Sequence, residues 1–466
     1  MSAIDGRLRV CHVFATTEGG RWVVEQLEAL RDIHRCEVHA VLGGTEGTTV
    51  SLCADRGIPV TAFDFTVQGW TALFSVPWRI LKLALWMRRQ RFDVVQSHVM
   101  QSTLFARPAA WLADIPVRLT MVTGPFFMQA PVTRRIEVAT AWMETGIIPS
   151  CERTGTLYQE AGAAKGNVLE TLYYGPPAAR WDPDVTPRAD LRAEFGLPGD
   201  ARLIGCVAVF YPRCGGGGFI PPETRHRHVK GHDDLIRAMH LVLARVPQAR
   251  LLLIGKGWGA GGEAAENELR ALVREEGLAE HIIFTGYRQD IASVYLDLDV
   301  SVQASLNENL GGTVESLLMA RPTVATRVGG MPDSVVDGVT GRLVEPANPA
   351  SLADGIVWML DHPREAEQLA RAGRARMLAG FTLETTAAGL SRVYKRQRLA
   401  AAGAWRGGVS LRRLIVSGFL HPPVLGRSLI WDLKLAHSLP IHWQNLKLRL
   451  RGYRRRLRAM FEFRRV

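Results

Sequence analysis

The sequence lacks a long apolar stretch, since no uninterrupted run reaches the roughly 18 residues that a membrane-spanning helix needs. Its first residues, MSAIDGRLRVCHVFA, contain no apolar segment followed by a cleavage site, so no signal peptide is expected. Cysteine is also sparse, and no C-x-x-C pair occurs. We therefore expect single thiols in a reducing cytoplasm rather than a disulfide framework or a zinc site. The six cysteines are Cys11, Cys36, Cys53, Cys151, Cys206 and Cys214.

Several motifs that define large enzyme classes are missing. The motifs GxxxxGK[ST], HExxH and G-x-S-x-G are absent, so the sequence does not indicate a P-loop NTPase, a zincin protease or an α/β-hydrolase. A G-x-G-x-x-A pattern at Gly255–Ala260 follows a predicted strand, but no acidic residue ends the next strand, which disfavours a nicotinamide enzyme. Two D-x-D elements, at Asp182–Asp184 and Asp297–Asp299, are too short to indicate a metal site, and we predict no metal.

The excess of positive over negative charge is confined to one end of the chain. The formal net charge is +12, and residues 403–466 hold 14 lysines and arginines against Asp432 and Glu462 only. The remainder is neutral, with 43 basic and 43 acidic residues. Any attraction to an anionic partner is therefore expected from this basic amphipathic extension.

Two segments raise the question of a membrane surface. The extension alternates leucine, isoleucine and tryptophan with arginine and lysine, which favours peripheral attachment to the anionic inner face of a membrane. A solvated extension is the alternative, and nucleic acid is not expected, because no nucleic-acid-binding module accompanies the charge. Residues Trp78–Arg91 predict an amphipathic helix with a basic flank. That helix either lies on a membrane or covers one face of a sheet.

The order of the elements predicts an α/β protein with two parallel-sheet domains. Buried strands alternate with helical patterns from Leu8 onwards, and a second series begins at Leu203. At 466 residues the chain is too long for one core, and the proline- and glycine-rich stretch Tyr173–Pro198 is the best candidate for a linker. We place domain boundaries at residues 1–180 and 181–378.

The chemistry-bearing stretch runs from Ala304 to Leu343. A polar loop with Glu308 leads through Gly311-Gly312 into a helix whose first turn holds Glu315. Backbone N–H groups and the positive end of a helix dipole suit a phosphate or a sugar. Two carboxylates seven positions apart then flank that point, as sugar or ribose hydroxyls would require. The pattern predicts a donor-sugar site.

A basic, glycine-rich loop precedes the predicted helix that begins near His232. It runs from Arg213 to Gly231 and is too polar and glycine-rich to be expected to pack. A cationic loop at the carboxyl end of a strand is where an open α/β sheet binds an anion. A solvated, flexible loop is the alternative. Its cationic side chains are Arg213, Arg225, Arg227 and Lys230.

The stretch Glu308–Leu343 resembles family 4 of the retaining GT-B glycosyltransferases. The motifs on which this resemblance rests are G-G-x-x-E at Gly311–Glu315, R-P-T-V-A-T, and V-G-G-M-P-D-S-V-V-D-G-V-T-G-R-L-V. Further matches follow in order, including a Gly-Gly turn after the first strand, D-V-V-x-x-H at Asp93–His98, and F-T-G-Y-R-Q-D. The resemblance covers about residues 8–395.

This resemblance implies a GT-B fold, in which two Rossmann-like domains face each other across a cleft. The N-terminal domain would serve the acceptor, the C-terminal domain would hold the nucleotide-sugar donor, and a helix at residues 379–402 would return to the first domain. The implied catalytic residues are Glu308, Lys230 and His98. The implied donor-contacting residues are Gly19, Gly20, Arg213, Arg227, Lys230, Gly255, Gly286, Tyr287, Asn309, Gly311, Gly312, Thr313 and Glu315.

In this resemblance Glu308 faces the donor sugar, Lys230 with Arg213 or Arg227 neutralises the leaving diphosphate, and Glu315 holds the ribose. Family members usually have seven residues between the two glutamates, whereas Glu308 and Glu315 enclose six. Either the loop is one residue shorter, which the Gly-Gly turn can absorb, or Asn307 takes the sugar-facing position.

The implied function is metal-independent transfer of a sugar from a nucleotide-diphosphate sugar to a glycan or lipid-linked acceptor, in surface polysaccharide or glycolipid assembly. The nucleotide sugar is the donor substrate, and no cofactor is expected. Two alternatives stay open. One is another GT-B sugar-nucleotide enzyme, such as an epimerase or a glycogen-type synthase. The other is an inactive GT-B partner in a membrane assembly.

Overall fold

The computed structural model describes residues 7–67, 70–163, 167 and 169–401. The predicted basic extension at residues 403–466 lies outside this range. Its expected attachment to a membrane therefore concerns residues that the structure does not describe. The described chain forms two compact units that divide after Asp182. Unit 1 holds the residues up to Asp182, with Gly329–Ser334 and residues 373–401, and unit 2 holds Pro183–Val328 and Val335–Ala372.

Unit 1 is built on a six-stranded parallel sheet in the order β3-β2-β1-β4-β5-β6. Apolar runs such as Val94–Val95 are buried because helices cover both faces of the sheet. The strands are β1 (Arg9–Phe14), β2 (Glu37–Leu42), β3 (Val60–Ala62), β4 (Val94–His98), β5 (Val117–Val122) and β6 (Gly146–Pro149). The helices up to Asp182 are α1 (Arg21–Asp32), α2 (Thr48–Asp55), α3 (Trp70–Gln90), α4 (Met100–Leu112), α5 (Phe126–Gln129), α6 (Pro131–Thr140) and α7 (Glu152–Glu160).

Unit 2 repeats this architecture, with a parallel sheet in the order β12-β11-β10-β7-β8-β9. Its strands are β7 (Arg202–Val207), β8 (Ala249–Ile254), β9 (Ile282–Gly286), β10 (Val300–Gln303), β11 (Thr323–Thr326) and β12 (Arg342–Val344). Its helices are α8 (Leu191–Glu194), α9 (His232–Leu243), α10 (Gly262–Glu275), α11 (Ile291–Asp297), α12 (Thr313–Leu318) and α14 (Pro349–Asp361). Helix α13 (Met331–Ser334) clusters with unit 1, and α15 (Pro363–Gly380) passes from unit 2 into unit 1.

The closing helix of the described chain, α16 (Leu383–Ala401), packs in unit 1 through Leu390, Val393 and Tyr394. The prediction of two Rossmann-like parallel sheets is thus confirmed. The expected helix at Trp78–Arg91 starts earlier, at Trp70, and the strand expected over Pro59–Phe65 shortens to Val60–Ala62 at the sheet edge. No described helix is long and apolar enough to cross a membrane.

Candidate functional site

The strand order of unit 2 creates a crevice between β7 and β10. These two strands are neighbours in the sheet, and the chain continues from them toward opposite edges. In open α/β sheets such a switch point, at the carboxyl ends of the strands, is where ligands bind. The loop after β7 ends in Lys230, and the loop after β10 contains Glu308. The topology therefore brings together two residues that are far apart in sequence.

Gly231 holds these two loops against each other. Its φ is 66°, and a Cβ atom at this position would lie 2.0 Å from the carbonyl oxygen of Ala304. Next to this close approach, the Leu306 N–H donates to the Val229 carbonyl at 2.8 Å. Only glycine combines a left-handed backbone with such proximity. The lysine beside it is consequently fixed opposite the Glu308 loop.

Lys230 and Glu308 form a partly buried ion pair, in which Nζ donates to Oε2. The Glu308 carboxylate also accepts from Ser305 Oγ at 3.2 Å and from the Asn309 N–H at 3.1 Å. Burial alone would lower the pKa of Lys230, but the Glu308 carboxylate and the Tyr211 hydroxyl outweigh it and raise the pKa. The lysine is thus held as an ammonium group at the crevice.

The glycine turn before α12 packs tightly on two buried polar side chains. Gly311 has φ 57°, and a Cβ at Gly312 would lie 2.7 Å from Gln303 Nε2 and 2.8 Å from Tyr295 Oη. Tyr295 Oη donates to the Gly312 carbonyl at 3.3 Å. This contact keeps the backbone of the turn flat against the sheet, just before Thr313 begins the helix.

Glu315 lies in the first turn of α12 and has an unsatisfied acceptor. Its Oε2 atom is buried and has no hydrogen-bond partner among the described residues. Burial, and secondarily the charge of Glu308, raises the pKa of Glu315 to about 7, although a backbone N–H opposes the shift. A buried oxygen without a donor is unusual in a folded protein. A ligand that carries hydroxyl groups would satisfy it.

The two arginines predicted to assist Lys230 are engaged by carboxylates. Arg213 lies 3.5 Å from Asp233 and 3.4 Å from Glu268, and Arg227 donates two hydrogen bonds to Asp234, at 2.9 and 2.7 Å. Their charges are therefore largely compensated by the first turn of α9, whereas Lys230 points to the Glu308 loop. The two arginines thus pair with carboxylates of α9 and α10, and Lys230 pairs with Glu308.

The basic loop is packed, so the expectation that it would not pack was wrong. Its strand-like ends pair, with the Cys214 N–H donating to the Arg227 carbonyl at 2.9 Å and the His226 N–H to the Cys214 carbonyl at 2.8 Å. Thr224 and His228 are buried. His228 Nδ1 is 3.1 Å from the Tyr211 carbonyl oxygen, which ties the loop to the end of β7.

The remaining predicted donor contacts of unit 2 line the ends of β8 and β9. Gly255 has φ 154°, and a Cβ there would lie 2.0 Å from the Ala208 carbonyl oxygen. Its N–H donates to the Gly286 carbonyl at 3.1 Å. The ring of Tyr287 is 64% exposed, with the Lys256 ammonium 5.0 Å from its centre. An exposed aromatic ring beside a flat glycine backbone offers a stacking surface for a base.

In unit 1 the predicted residues also gather at a switch point, between β1 and β4. Gly19 has φ 70°, and the Gly20 N–H donates to Thr49 Oγ1 at 3.0 Å. A Cβ at Gly20 would lie 2.6 Å from the Thr49 methyl group, so the turn is closely packed. His98 ends β4 and is followed by Val99 at φ 58°, a strained conformation for a β-branched residue.

The imidazole of His98 is fully buried in a polar network. Its Nε2 lies 3.2 Å from His12 Nδ1, and its Nδ1 lies 3.2 Å from Tyr174 Oη. His12 Nε2 continues to Tyr394 Oη at 3.0 Å, and Tyr394 donates to Gln96 Oε1 at 2.8 Å. The predicted catalytic side chain is therefore enclosed, and a role for it in catalysis stays a prediction.

Burial makes this histidine pair a source of pH-dependent stability. It lowers the pKa of His12 to about 3 and that of His98 well below its usual value, with His12 contributing to the second shift. The folded pKa values lie below the unfolded value of about 6.5, so the stabilisation is complete above pH 6.5 and is lost as the pH falls. Each ring contributes about 1.4 kcal/mol of unfolding free energy per pH unit over that window.

Urea denaturation at pH 7 and pH 5 measures this loss as a difference between variants, since buried Glu315, whose raised pKa gives the opposite pH dependence, is common to both. We expect His12→Gln to remove about half of the pair's share of the pH dependence. His362→Gln, at a histidine whose ring is outside the network, is the matched control substitution. Equal slopes for the wild type and His12→Gln would contradict the assignment.

The D-x-D element at Asp297–Asp299 has a structural explanation. Asp299 accepts from the Leu203 N–H at 2.7 Å and pairs with Arg192 at 2.9 Å, while Asp297 accepts from the Leu191 N–H at 2.8 Å. Across the described ranges, no group of three or more His, Cys, Asp or Glu side chains is arranged to hold a metal ion.

The sequence did not indicate the side chains that support the site. Ser305 and Tyr211 hold the Glu308–Lys230 pair, and Gln303 and Tyr295 support the Gly312 turn. Ser305 lies three positions before Glu308 in the same polar loop, which was an available signal. Tyr295 sits in α11, and nothing in its local sequence connects it with Gly312.

Residues 223–362 match a family model described as "Glycosyl transferases group 1". The chain is 29% identical over 242 residues to a GDP-mannose-dependent alpha-(1-6)-phosphatidylinositol monomannoside mannosyltransferase of Mycolicibacterium smegmatis, covering 50% of this chain and 57% of the relative. It is 34% identical over 173 residues to a D-inositol 3-phosphate glycosyltransferase of Corynebacterium diphtheriae, covering 36% of this chain and 40% of the relative. The chain thus spans about half the length of these curated relatives.

Among solved structures, the Anabaena protein HepE in complex with UDP and glucose superimposes with a TM-score of 0.69 at 18% identity. The match covers 84% of this chain and all of HepE. At this identity the likeness establishes the fold, which is that of the GT-B glycosyltransferases. The resemblance of the Glu308–Leu343 motifs to glycosyltransferases is confirmed at the level of the group 1 glycosyl transferases, and the assignment to the retaining family 4 stays a prediction. Residues 223–362 thus resemble the group 1 glycosyl transferases, within a chain that has the GT-B fold.

Proposed function

We propose that the chain is a retaining, metal-independent glycosyltransferase of family 4, which transfers a sugar from a nucleotide-diphosphate sugar to a glycan or lipid-linked acceptor. The observation that carries the proposal is the Lys230–Glu308 pair at the β7/β10 switch point, with the unsatisfied carboxylate of Glu315 on the helix that follows the Glu308 loop. The names of the relatives support a sugar donor. The UDP and glucose bound to HepE support a nucleoside diphosphate in this fold.

In the proposed reaction the bond between the anomeric carbon and the diphosphate breaks, and a bond to an acceptor oxygen forms on the same face. The diphosphate departs with the bonding electrons, and the acceptor hydroxyl passes its proton to an oxygen of the departing diphosphate. Lys230 stabilises the charge that develops on the leaving diphosphate. Glu308 accepts hydrogen bonds from the donor sugar, and its ion pair with Lys230 keeps the ammonium at the crevice before the donor binds. Backbone N–H groups of Gly312 and Thr313 add further donors.

The base would stack near Tyr287, beside the close backbone approach of Gly255 and Gly286. The next residue, Arg288, is not proposed to contact the base, because it bonds Glu194 at 2.6 Å and Asp290 at 2.7 Å. In unit 1, the donor contacts of Gly19 and Gly20 and the acceptor-side role of His98 stay predictions. Since His98 is enclosed, it would act through Trp22, whose ring lies 5.1 Å from the imidazole.

Glu315 should make donor affinity depend on pH. Ribose hydroxyls donate to a carboxylate, and the pKa of Glu315 is raised to about 7 mainly by its burial. The carboxyl must lose its proton to accept both hydroxyls, so binding should weaken as the pH falls below 7, by up to about tenfold per unit. Titration calorimetry with a nucleoside diphosphate from pH 8 to pH 5.5 measures this trend.

The phosphate of the ligand also takes up a proton near pH 6, so it contributes to the pH dependence of binding. The Glu315→Gln variant distinguishes the contribution of the carboxylate from that of the phosphate. The variant should bind more weakly at pH 8 and show a flatter pH dependence than the wild type. A 2′,3′-dideoxy nucleotide should bind the wild type no better than the ribonucleotide binds the variant. An unchanged affinity in Glu315→Gln would rule out its contact with the ribose.

The acceptor is proposed from chemistry and from the relatives' names. The mannosyltransferase and inositol-phosphate enzyme names point to a lipid-linked or polyol acceptor, which fits surface polysaccharide or glycolipid assembly at the cytoplasmic face of a membrane. The basic extension at residues 403–466 would contribute peripheral attachment, and no nucleic-acid partner is proposed.

A donor panel tests the function. Release of nucleoside diphosphate is measured for each nucleotide sugar, with and without acceptor and with EDTA, and NMR reports the anomeric configuration of the product. We expect turnover that survives EDTA, retention of configuration, and loss of turnover in Glu308→Gln. Free sugar isomer formed without acceptor would favour an epimerase. Thermal stability unaffected by every nucleotide sugar would favour the inactive partner.

A further inference from the structure

Helix α3 presents two faces of different character. One face packs into the core of unit 1 through Ile80, Leu83, Ala84 and Met87. Along the other, large apolar side chains are exposed, Phe74 by 78%, Trp78 by 59% and Leu85 by 41%. Their spacing places them on one stripe of the helix. The alternative in which this helix covers one face of the sheet is therefore confirmed, and the helix also shows an apolar stripe on its outer side.

The charges of α3 are all positive. The helix Trp70–Gln90 contains no aspartate or glutamate, and Lys82 and Arg89 are exposed along the apolar stripe. The Lys82 ammonium lies 5.6 Å from the centre of the Trp78 ring. Arg88 is only 3.9 Å from Asp114, whereas Arg79 is buried and bonded to Asp64 at 3.0 Å. Tryptophan flanked by lysine and arginine is the composition of helices that lie at a lipid–water boundary.

The charge also distinguishes the occupants that could cover this stripe. The basic extension of the chain has 14 cationic and two acidic residues, so it would be repelled by Lys82 and Arg89. A second copy would bring the same cations face to face. An anionic lipid surface attracts the cations and takes the exposed rings into the headgroup region.

We propose that the outer face of α3, defined by Phe74, Trp78, Lys82, Leu85 and Arg89, docks on an anionic phospholipid surface. This surface belongs to unit 1 itself and does not need the extension at residues 403–466. It is also independent of the proposed sugar transfer, since none of its residues belongs to the donor or acceptor machinery.

Vesicle sedimentation of the full chain tests the proposal, with phosphatidylcholine vesicles alone and mixed with phosphatidylglycerol. Trp78→Ser combined with Leu85→Ser should weaken partitioning to the mixed vesicles by about tenfold, because two apolar side chains no longer leave water. Arg89→Glu should weaken it by at least about fivefold, with a smaller difference at high salt.

The chain offers matched controls for both changes. Leu378 is 42% exposed on α15, so Leu378→Ser repeats the apolar change elsewhere in unit 1, and Arg135→Glu repeats the charge reversal on α6. Both controls should bind as the wild type does, and all variants should keep the wild-type melting temperature. Wild-type partitioning in the α3 variants, or equal losses in the controls, would overturn the proposal. Wild-type chain that dimerises through this face in solution without binding vesicles would overturn it as well.

Discussion

Replacing Lys230 by methionine is expected to lower kcat by about 10²- to 10³-fold, the usual loss when one group that stabilises a developing negative charge is removed. Methionine keeps most of the apolar stem, so the change removes mainly the ammonium group. The expected effect is large because Lys230 is the cation that the packed Gly231 turn directs at the Glu308 loop. Steady-state kinetics with saturating donor and acceptor measure it.

Arg213→Lys and Arg227→Lys serve as comparisons in the same loop. Both arginines are paired with carboxylates of α9, so we expect these changes to reduce kcat far less than Lys230→Met. Circular dichroism and melting temperature must show that Lys230→Met is folded, since the change leaves Glu308 without its ion-pair partner. A folded Lys230→Met with wild-type kcat would refute the assigned role.

Gly231→Ala is expected to cause the largest loss of stability of any single methyl addition in this loop. The left-handed φ of 66° costs an alanine about 1–2 kcal/mol. The added Cβ would also lie 2.0 Å from the Ala304 carbonyl oxygen, so the two loops must move apart. Lys230 would then lose its position opposite Glu308, and activity should fall together with the melting temperature.

The Gly277→Ala variant measures the cost of the left-handed backbone conformation alone. Gly277 has nearly the same φ, 67°, but nothing lies within 4 Å of its Cβ position. It should therefore lose only the conformational cost, while Gly231→Ala loses more stability and also activity. Equal destabilisation by the two substitutions would mean that the close approach to Ala304 is unimportant.

The sequence allowed the fold to be predicted because periodicity and motif order are local properties. Short apolar runs predicted strands such as Val94–His98 and Thr323–Thr326, and glycine pairs predicted the turns that follow strands. The carboxylates Glu308 and Glu315 could likewise be identified from their places in a loop and a first helical turn. These inferences needed no knowledge of which strands are neighbours.

The contacts between distant parts of the chain could not be predicted in this way. The pairing of Lys230 with Glu308 follows from the adjacency of β7 and β10, which the sequence does not state. The enclosure of His98 depends on Tyr394, almost 300 positions away in α16. The ion pair of Arg213 with Glu268 likewise joins the basic loop to α10, which comes later in the chain.

The shortened interval between the two glutamates is also clarified by the fold. Glu308 bonds Lys230, and its side chain is 13% exposed, while Asn307 is buried at 7% exposure. This arrangement supports the proposal that Glu308 takes the sugar-facing position. Asn307→Ala is then expected to affect stability more than donor turnover, and Glu308→Gln the reverse.

A crystal structure of the chain with a bound nucleoside diphosphate would show directly whether the β7/β10 switch point is the donor site. We expect the diphosphate to contact Lys230 Nζ and the backbone of Gly312 and Thr313, the ribose hydroxyls to bond Glu315, and the base to lie near Tyr287. A nucleotide bound elsewhere in the chain, with Lys230 still paired to Glu308 and the Glu315 carboxylate still without a hydroxyl partner, would contradict this expectation.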